Sequence, residues 1–275
     1  MRNALALGSP HDLSPVTAST AAVDLPCRGI LGVDVAATTS DRATSAVLAL
    51  VASGGHGKFA FLNANAANLA WDDPAFRAAL RSFTVFPDGV GVDLAARVLH
   101  GAPFPENLNG TDFVPHLLHR ADRPLTVGLL GARPGVVAKA RDRFATAFPD
   151  HAFRIVNHGY FETGAAARIA RRLAARPVDV LLVALGNPQQ ERFIAEAIDG
   201  RHCRAAFGIG ALFDFTSGHV PRAPRMMRDL RLEWLFRFNR EPERMWRRYV
   251  VGNPLFLARV LHERRRMRRG IQDRE

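Results

Sequence analysis

The sequence predicts an α/β fold in which a mainly parallel sheet carries helices on both faces, followed by a basic helical C-terminal appendage. Short apolar runs of strand length alternate with longer amphipathic runs from about residue 27 to residue 220, which is typical of parallel strands joined by helical crossovers. Glycine-rich or polar turns stand where a strand passes into the next helix. Beyond Pro221, arginines interleave with Trp, Phe and Leu. The alternating part is therefore predicted as a Rossmann-like core.

The first half of the chain gives these elements in order. Residues 1–26 are rich in Ser, Thr, Ala and Pro without periodicity, and we expect a disordered leader there. Apolar runs predict strands over residues 28–35, 58–62 and 82–86. Helices are predicted from a cap at Ser40 or Asp41 to residue 52, from the Asn63 turn to residue 71, from Pro74 onward, and over residues 92–100.

The second half alternates more regularly. Strands are predicted over residues 125–130, 153–157, 178–184 and 203–207, and helices over residues 136–148, 165–175 and 189–198. Three amphipathic helices follow over residues 230–239, 242–251 and 255–269. The predicted organisation is an α/β core over residues 27–220, which we expect to fold without the tail, and a basic amphipathic helical appendage over residues 221–275.

The charge of the chain predicts an anionic partner. Residues 221–275 carry 16 arginines against seven acidic residues and so hold most of the net charge of +11. Nucleic acid, an acidic membrane surface and phosphorylated substrates are the candidate partners. The two cysteines form no metal-binding or disulfide pattern, and no apolar run reaches the length of a membrane span. We therefore expect a cytoplasmic protein.

Asp88 is the candidate of greatest chemical interest. It stands on a glycine-hinged turn between a predicted strand and a predicted helix, where open α/β sheets collect their ligands. A carboxylate beside helix N-termini stays ionised and can act as a general base. On local sequence alone, Asp88 could equally cap the helix while Gly89 supplies the turn.

Two further turns could contact a ligand. The run from Gly131 through Ala132 to Gly135 follows a strand and opens a helix, so its backbone N–H groups could meet a diphosphate, or it could simply be a tight turn. The run from Gly186 to Glu191 places Asn187 and Gln190 at a helix start, where amides could bind a sugar or phosphate or only cap the helix. The other polar candidates, each also explained by capping or packing, are Asn63, Asn65, Thr111, Asp112, Tyr160 and Asp214.

No Asp-x-Asp pair and no paired His or Cys at metal spacing occurs in the chain. Enzymes that hold a metal against a diphosphate usually need such carboxylates. The sequence therefore predicts that arginines or a helix N-terminus neutralise any leaving group, with no metal and no cofactor.

Taken together, the motifs resemble those of the WecG/TagA/CpsF family of bacterial glycosyltransferases. They occur in one consistent order over roughly residues 29–258. The matching stretches are Phe61–Asn65, Pro87–Gly91, Asn109–Asp112, Leu129–Ala132 with Gly135, Gly159–Phe161, Gly186–Glu191, Gly208–Ala211 with Phe213–Asp214, Arg222–Pro224, Leu232–Arg237, Glu241–Arg244 and Arg247–Tyr249.

The resemblance implies a metal-independent, inverting hexosyltransferase, in which the core over residues 27–220 is catalytic and the appendage over residues 221–275 contacts membrane and substrate. Such enzymes move a sugar from a UDP-sugar to a polyprenyl-diphosphate-linked saccharide at the inner membrane face, in the synthesis of exopolysaccharide, capsule or teichoic acid. By motif position Asp88 would be the general base, Gln190 a positioning amide and Asn63 part of the pocket. The remaining predicted substrate contacts are Asn65, Thr111, Asp112, Gly131, Ala132, Gly135, Tyr160, Asn187, Gly210 and Asp214, with Arg237, Arg244 and Arg247 expected at a diphosphate.

Two departures from the family pattern leave the donor sugar open. Phe61 stands where some members carry Thr, and the run from Glu106 to Gly110 lacks an Arg that others have. N-acetylmannosamine, glucose and a uronic acid all remain candidates. The expected location is peripheral, on the inner face of the cytoplasmic membrane. Exposed apolar residues of the tail could also serve a homo-oligomer interface, and the alternative function is a basic nucleic-acid-binding α/β protein.

Overall fold

The computed structural model describes residues 23–162, 164–224, 226–227, 233–240 and 242–272. The strands in these residues are β1 Cys27–Ile30, β2 Val33–Ala36, β3 Gly57–Leu62, β4 Thr84–Pro87, β5 Thr126–Gly131, β6 Ala152–Asn157, β7 Val178–Ala184 and β8 Cys203–Gly208. The helices are α1 Ser40–Ala52, α2 Ala64–Asp72, α3 Pro74–Leu80, α4 Val90–His100, α5 Gly110–Arg120, α6 Pro134–Ala147, α7 Ala165–Ala175, α8 Gln189–Ala197, α9 Leu212–Thr216, α10 Glu233–Arg240, α11 Pro242–Trp246 and α12 Gly252–Gln272. A π-helical turn, Arg247–Val251, joins α11 to α12.

Six strands form one parallel sheet in the order β4–β3–β8–β7–β5–β6. The central strands β7 and β8 are apolar and buried along most of their length, as strands covered on both faces must be. Because parallel strands end at the same edge, the turns after β3, β4, β5, β7 and β8 lie along one side of the molecule. The predicted α/β class with a mainly parallel sheet is confirmed.

Each face of the sheet carries its own apolar core. One core joins the sheet to α2, α3, α4, α7, α8, α12 and the β1–β2 hairpin, and includes Phe76, Val92 and Ile194. The other joins it to α1, α5, α6 and α9, and includes Phe113 and Phe207. Helices therefore cover both faces, as predicted.

The prediction of one strand over residues 28–35 was wrong. The chain folds there into an antiparallel hairpin in which Ile30 pairs with Val33. Leu31 and Gly32 form the turn at φ values of 51° and 77°. Two residues with positive φ give a turn whose twist matches that of the flanking strands, so the apolar run doubles back on itself. Helix α1 also begins after Thr39, whose side chain caps it, rather than after Ser40 or Asp41.

The last helix of the basic tail packs into the core. Phe256 and Val260 of α12 are 1% and 0% exposed and belong to the core that contains α2 and α4. The side-chain amide of Asn68 donates to the carbonyl of Gly252 over 2.8 Å, and Arg259 pairs with Asp72 of α2. The division at residue 220 remains a prediction, but these contacts show that α12 stabilises the core that the first part of the chain forms.

Two further predictions concern the chain's ends and the membrane. Most of the predicted leader, residues 1–22, lies outside the described residues. Among the helices that the structure describes, none combines the length and the apolar character needed to cross a bilayer.

Candidate functional site

Asp88 and Asn63 lie side by side at the carboxyl ends of β4 and β3. Asn63 Nδ2 donates to Asp88 Oδ2 over 3.2 Å, while Asn63 Oδ1 accepts from the N–H of Ala66 and so caps α2. Helix α4 begins after Gly89 and has no side-chain cap. The alternative in which Asp88 caps this helix is therefore wrong. Its half-buried carboxylate faces an amide donor instead.

The turn that carries Asp88 is held from both sides. The N–H of Asp88 donates to the carbonyl of Leu62 over 2.8 Å. On the other side, the N–H of Gly89 donates to Asn107 Oδ1 over 2.6 Å. Gly89 adopts a φ of 93°, which other residues reach only with strain. These contacts fix the turn relative to the sheet. Sequence reasoning did not identify Asn107 as the residue that accepts from Gly89.

Gln190 lies in the first turn of α8 and its carboxamide is buried beside β8. Its Oε1 accepts from the N–H of Gly210 over 3.1 Å, and its Nε2 donates to Glu191 Oε1 over 2.7 Å. Gly210 follows the end of β8 and β8 pairs with β3. The amide therefore stands one strand away from the strand that ends in Asn63.

Glu191 was missed as a functional candidate by the sequence analysis. It is 1% exposed, and its Oε1 also accepts from Asn187 Nδ2 over 2.6 Å. Burial raises the pKa of this carboxyl to about 7 despite those hydrogen bonds. An acidic residue in the first turn of a helix is ordinarily interpreted as stabilising the helix dipole. The signal that could have found it is the pair of amides one and four residues earlier.

The turn after β5 meets the turn after β7. A Cβ on Gly131 would lie 2.3 Å from the carbonyl oxygen of Ala184, so close packing requires glycine there. Ala132 donates to the same carbonyl and accepts from the N–H of Gly159. Helix α6 then starts without a side-chain cap. Gly135 in its first turn is exposed and Tyr160 nearby is 61% exposed, so a ligand contact here stays a prediction.

The remaining polar candidates of the core begin helices. Asn109 caps α5 and exchanges hydrogen bonds with Asp112, which also pairs with Arg222. Asp112 thus bonds to the residue that caps α5 and joins the start of this helix to Arg222, which follows α9. The other three candidates are half-buried in first turns, Asn65 in α2, Thr111 in α5 and Asp214 in α9.

The three arginines expected at a diphosphate belong to the tail. Arg237 lies on α10 and Arg244 on α11, but their side chains are outside the described part of the structure. Arg247 is exposed and its guanidinium lies 5.6 Å from the centre of the Trp246 ring. Their approach to a substrate therefore stays a prediction.

Along the carboxyl edge, the candidates form a row. The sheet order places Asp88 after β4, Asn63 after β3, Gly210 after β8, Asn187 after β7 and Gly131 at the end of β5. Neighbouring strands lie ~4.8 Å apart, so the row spans roughly 19 Å from Asp88 to Gly131. The two turns at its far end, after β5 and β7, lead to helices in opposite directions, the arrangement that forms a ligand crevice in open α/β sheets.

The sequence of this chain matches those of known proteins. The model of the glycosyl transferase WecG/TagA/CpsF family matches residues 28–270. An N-acetylglucosaminyldiphosphoundecaprenol N-acetyl-beta-D-mannosaminyltransferase of Bacillus spizizenii (strain W23) is 34% identical over 201 residues, which is 71% of this chain and 75% of the relative. The enzyme with the same name from Bacillus subtilis (strain 168) is 31% identical over 183 residues, covering 65% of this chain and 68% of the relative. This chain belongs to the glycosyl transferase WecG/TagA/CpsF family.

Proposed function

We propose that this protein is an inverting, metal-independent hexosyltransferase that moves a sugar from a UDP-sugar to a polyprenyl-diphosphate-linked saccharide in cell-surface polysaccharide synthesis. The observation that carries the proposal is the Asn63–Asp88 pair at the carboxyl edge of the sheet. The relatives' names support a lipid-linked acceptor that ends in N-acetylglucosamine. They also make N-acetylmannosamine the first donor sugar to test.

Asp88 supplies the base that a single displacement needs. One oxygen of its carboxylate takes the proton from the acceptor hydroxyl, the hydroxyl oxygen bonds to the anomeric carbon, and the bond from that carbon to the UDP oxygen breaks. Attack opposite the leaving group inverts the anomeric configuration. Because Asn63 holds Oδ2, Oδ1 is the oxygen that we assign to the acceptor.

The far end of the row suits the α-phosphate and nucleoside of the leaving UDP, because the β-phosphate is bonded to the reacting sugar and has to lie nearer to Asp88. Helix α6 starts without a side-chain cap, so the N–H of Gly135 in its first turn is left for a ligand, and an N–H at a helix N-terminus binds phosphate oxygens favourably. Pro134 carries no N–H, and the N–H of Ala132 already donates to Ala184. A span of roughly 19 Å between Gly131 and Asp88 leaves room for a nucleotide at one end and sugars at the other. Arg237, Arg244 and Arg247 of the tail would then neutralise the charge that develops on UDP.

The tail also has the character of a membrane-docking surface. Its basic helices expose large apolar side chains, namely Trp234, Leu235, Trp246, Val250, Val251, Leu255, Leu257 and Leu261. Basic residues attract anionic lipid while apolar ones enter the interface. We propose that this surface binds the inner face of the cytoplasmic membrane, where the lipid-linked acceptor is held.

Helix α4 links the membrane-docking surface of the tail to the proposed base, Asp88. Val90 and Leu94 are 46% and 43% exposed, and Val90 is only two residues beyond Asp88. A Cβ on Gly91 would lie 3.7 Å from the Phe256 ring of α12, so the start of α4 packs beside the tail. A bilayer that contacts the tail would therefore also lie close to the turn that carries Asp88.

The function is tested by incubating the full chain with a panel of UDP-sugars and a lipid-diphosphate-linked N-acetylglucosamine acceptor. We expect UDP release and a product heavier by one sugar, with UDP-N-acetylmannosamine as the first candidate and no loss of rate in EDTA. Absence of UDP release and of product with every donor contradicts the proposal. Tight, salt-sensitive binding to nucleic acid without turnover would favour the alternative function instead.

Membrane docking is tested separately by co-sedimentation with vesicles. Replacing Val250, Val251 and Leu255 by Ser should release the protein from vesicles that contain anionic lipid, while a matched change at exposed Ile155 of β6 should not. Equal binding by the two variants contradicts the assignment of the tail surface.

A further inference from the structure

Glu191 is a buried acidic group at the site that the proposed reaction leaves without a role. Its Oε1 accepts hydrogen bonds from Gln190 Nε2 and Asn187 Nδ2. Its Oε2 is also buried, and it has no hydrogen-bond partner among the residues that the structure describes. Removing a carboxyl oxygen from water without a partner is costly, so a role beyond filling space is expected for this side chain.

The carboxamide of Gln190 is held at both ends. Its Oε1 accepts from the N–H of Gly210 over 3.1 Å, and its Nε2 donates to Glu191 over 2.7 Å. A half-turn of the amide would face its oxygen toward Glu191 and its NH₂ toward an N–H, so the two contacts together determine its orientation. The amide nitrogen carries two protons, and the second is directed away from Glu191.

Close packing supports the same arrangement. A Cβ on Gly208 would lie 3.0 Å from Gln190 Nε2 and 3.2 Å from Glu191 Oε1. The two side chains therefore rest directly on the backbone of the last residue of β8. Asn187, four residues before Glu191, completes the cluster over the end of β7.

We propose that Glu191 is a positioning residue, which holds the amides of Gln190 and Asn187 so that each presents an N–H to the bound sugar nucleotide. Glu191 acts through these amides and does not touch the substrate itself. This role rests on the proposed function of the same site. It requires only an acceptor oxygen at the position of Oε1, so a glutamine at residue 191 should fulfil it.

A double-mutant cycle on kcat tests the coupling. E191A and Q190A should each lower kcat by on the order of ten- to a hundredfold, because misplacing a substrate-contacting group costs about that much. The double variant should be no slower than the slower single variant, since both changes remove the same interaction. E191Q should keep most of the activity. Q189A, a change at the neighbouring glutamine, is the control and should leave kcat unchanged.

Additive effects in the cycle would overturn the positioning role, as would full activity of E191A or equal loss in E191Q and E191A. Urea unfolding shows whether each variant is folded. If E191A does not fold, Glu191→Met replaces it, because it fills the volume without offering an acceptor oxygen.

A second measurement needs no turnover. In ¹⁵N-labelled protein, the side-chain amide protons of Gln190 should exchange slowly with water in the wild type and in E191Q, and rapidly in E191A. Unchanged protection in E191A overturns the inference even if the protein transfers no sugar. Conversely, an inactive wild type that shows the expected protection contradicts the proposed function and leaves the positioning of Gln190 intact.

Discussion

Asp88→Asn is the change that separates chemistry from structure at the proposed base. The amide has nearly the shape of the carboxylate, and its oxygen can still accept the hydrogen bond from Asn63 Nδ2. The backbone contact between Asp88 and Leu62 does not involve the side chain. The change should therefore lower the free energy of unfolding by only about 1 kcal/mol, because one hydrogen bond loses its charged acceptor.

The expected loss of activity is far larger. A positioned general base contributes about 10²- to 10⁴-fold to the rate, which corresponds to about 3–5 kcal/mol of activation free energy. Since this exceeds the structural cost several-fold, kcat should fall at least about a hundredfold. Affinity for UDP should change by less than about tenfold, because only ~1 kcal/mol of interaction is altered and the nucleotide is assigned to the other end of the row.

The assay is UDP release at saturating donor and acceptor, with UDP affinity measured by calorimetry on the same preparation. Asp150→Asn is the matched control, because Asp150 is exposed just before β6, at the opposite edge of the sheet. Near-normal turnover of Asp88→Asn would refute the base assignment. Equal loss of turnover and of UDP binding would refute the division of the site into a base end and a nucleotide end.

Three further predictions concern the pocket, the tail and pH. Asn63→Asp keeps the cap of α2 but sets a second carboxylate about 3.2 Å from Asp88 Oδ2. Repulsion between the two carboxylates favours protonation of one of them, so kcat should fall on the order of tenfold or more while the free energy of unfolding in urea changes little. An unchanged kcat would contradict the pairing. Phe256→Ala should lower the free energy of unfolding by about 3–5 kcal/mol, the usual cost of a buried Phe→Ala change, whereas the same change at a tail that packs loosely would cost under about 1 kcal/mol. Glu191 binds its proton more tightly when folded than when unfolded, because burial raises its pKa from 4.5 to about 7; the stability that it contributes is therefore full below pH 4.5 and is lost as the pH rises to 7. Glu191→Gln removes this pH dependence. The free energy of unfolding of the variant minus that of the wild type should therefore increase by about 3 kcal/mol between pH 4 and pH 8. A difference that stays constant across that range would contradict the raised pKa.

The sequence predicted the sheet because its pattern is local. The apolar run before Asn63 and the run before Asp88 each have strand length, and each is followed by helix-starting residues. The hairpin at Leu31 was missed because a non-glycine residue with a φ of 51° leaves no sign in an apolar run. The short helix α9 has too few residues to show a period.

The sequence likewise predicts some features of the candidate site and not others. The common edge of Asp88, Asn63 and Gln190 follows from topology once the strands are recognised, because Asp88 and Asn63 directly follow strands, Gln190 lies in the first turn of the helix after β7, and parallel strands end at one edge. The burial of Glu191 does not, since it depends on how closely the backbone of Gly208 approaches α8. The depth at which α12 packs likewise depends on Phe256 contacting α2 and α4. A basic, amphipathic sequence does not indicate whether its apolar residues enter the core.

The anomeric configuration of the product tests the central claim most directly. The product of UDP-N-acetylmannosamine and the lipid-diphosphate-linked acceptor should carry one added sugar whose anomeric centre, read by NMR, is opposite to that in the donor. Inversion together with loss of product in Asp88→Asn is the predicted result. A product of retained configuration would contradict a single displacement assisted by Asp88.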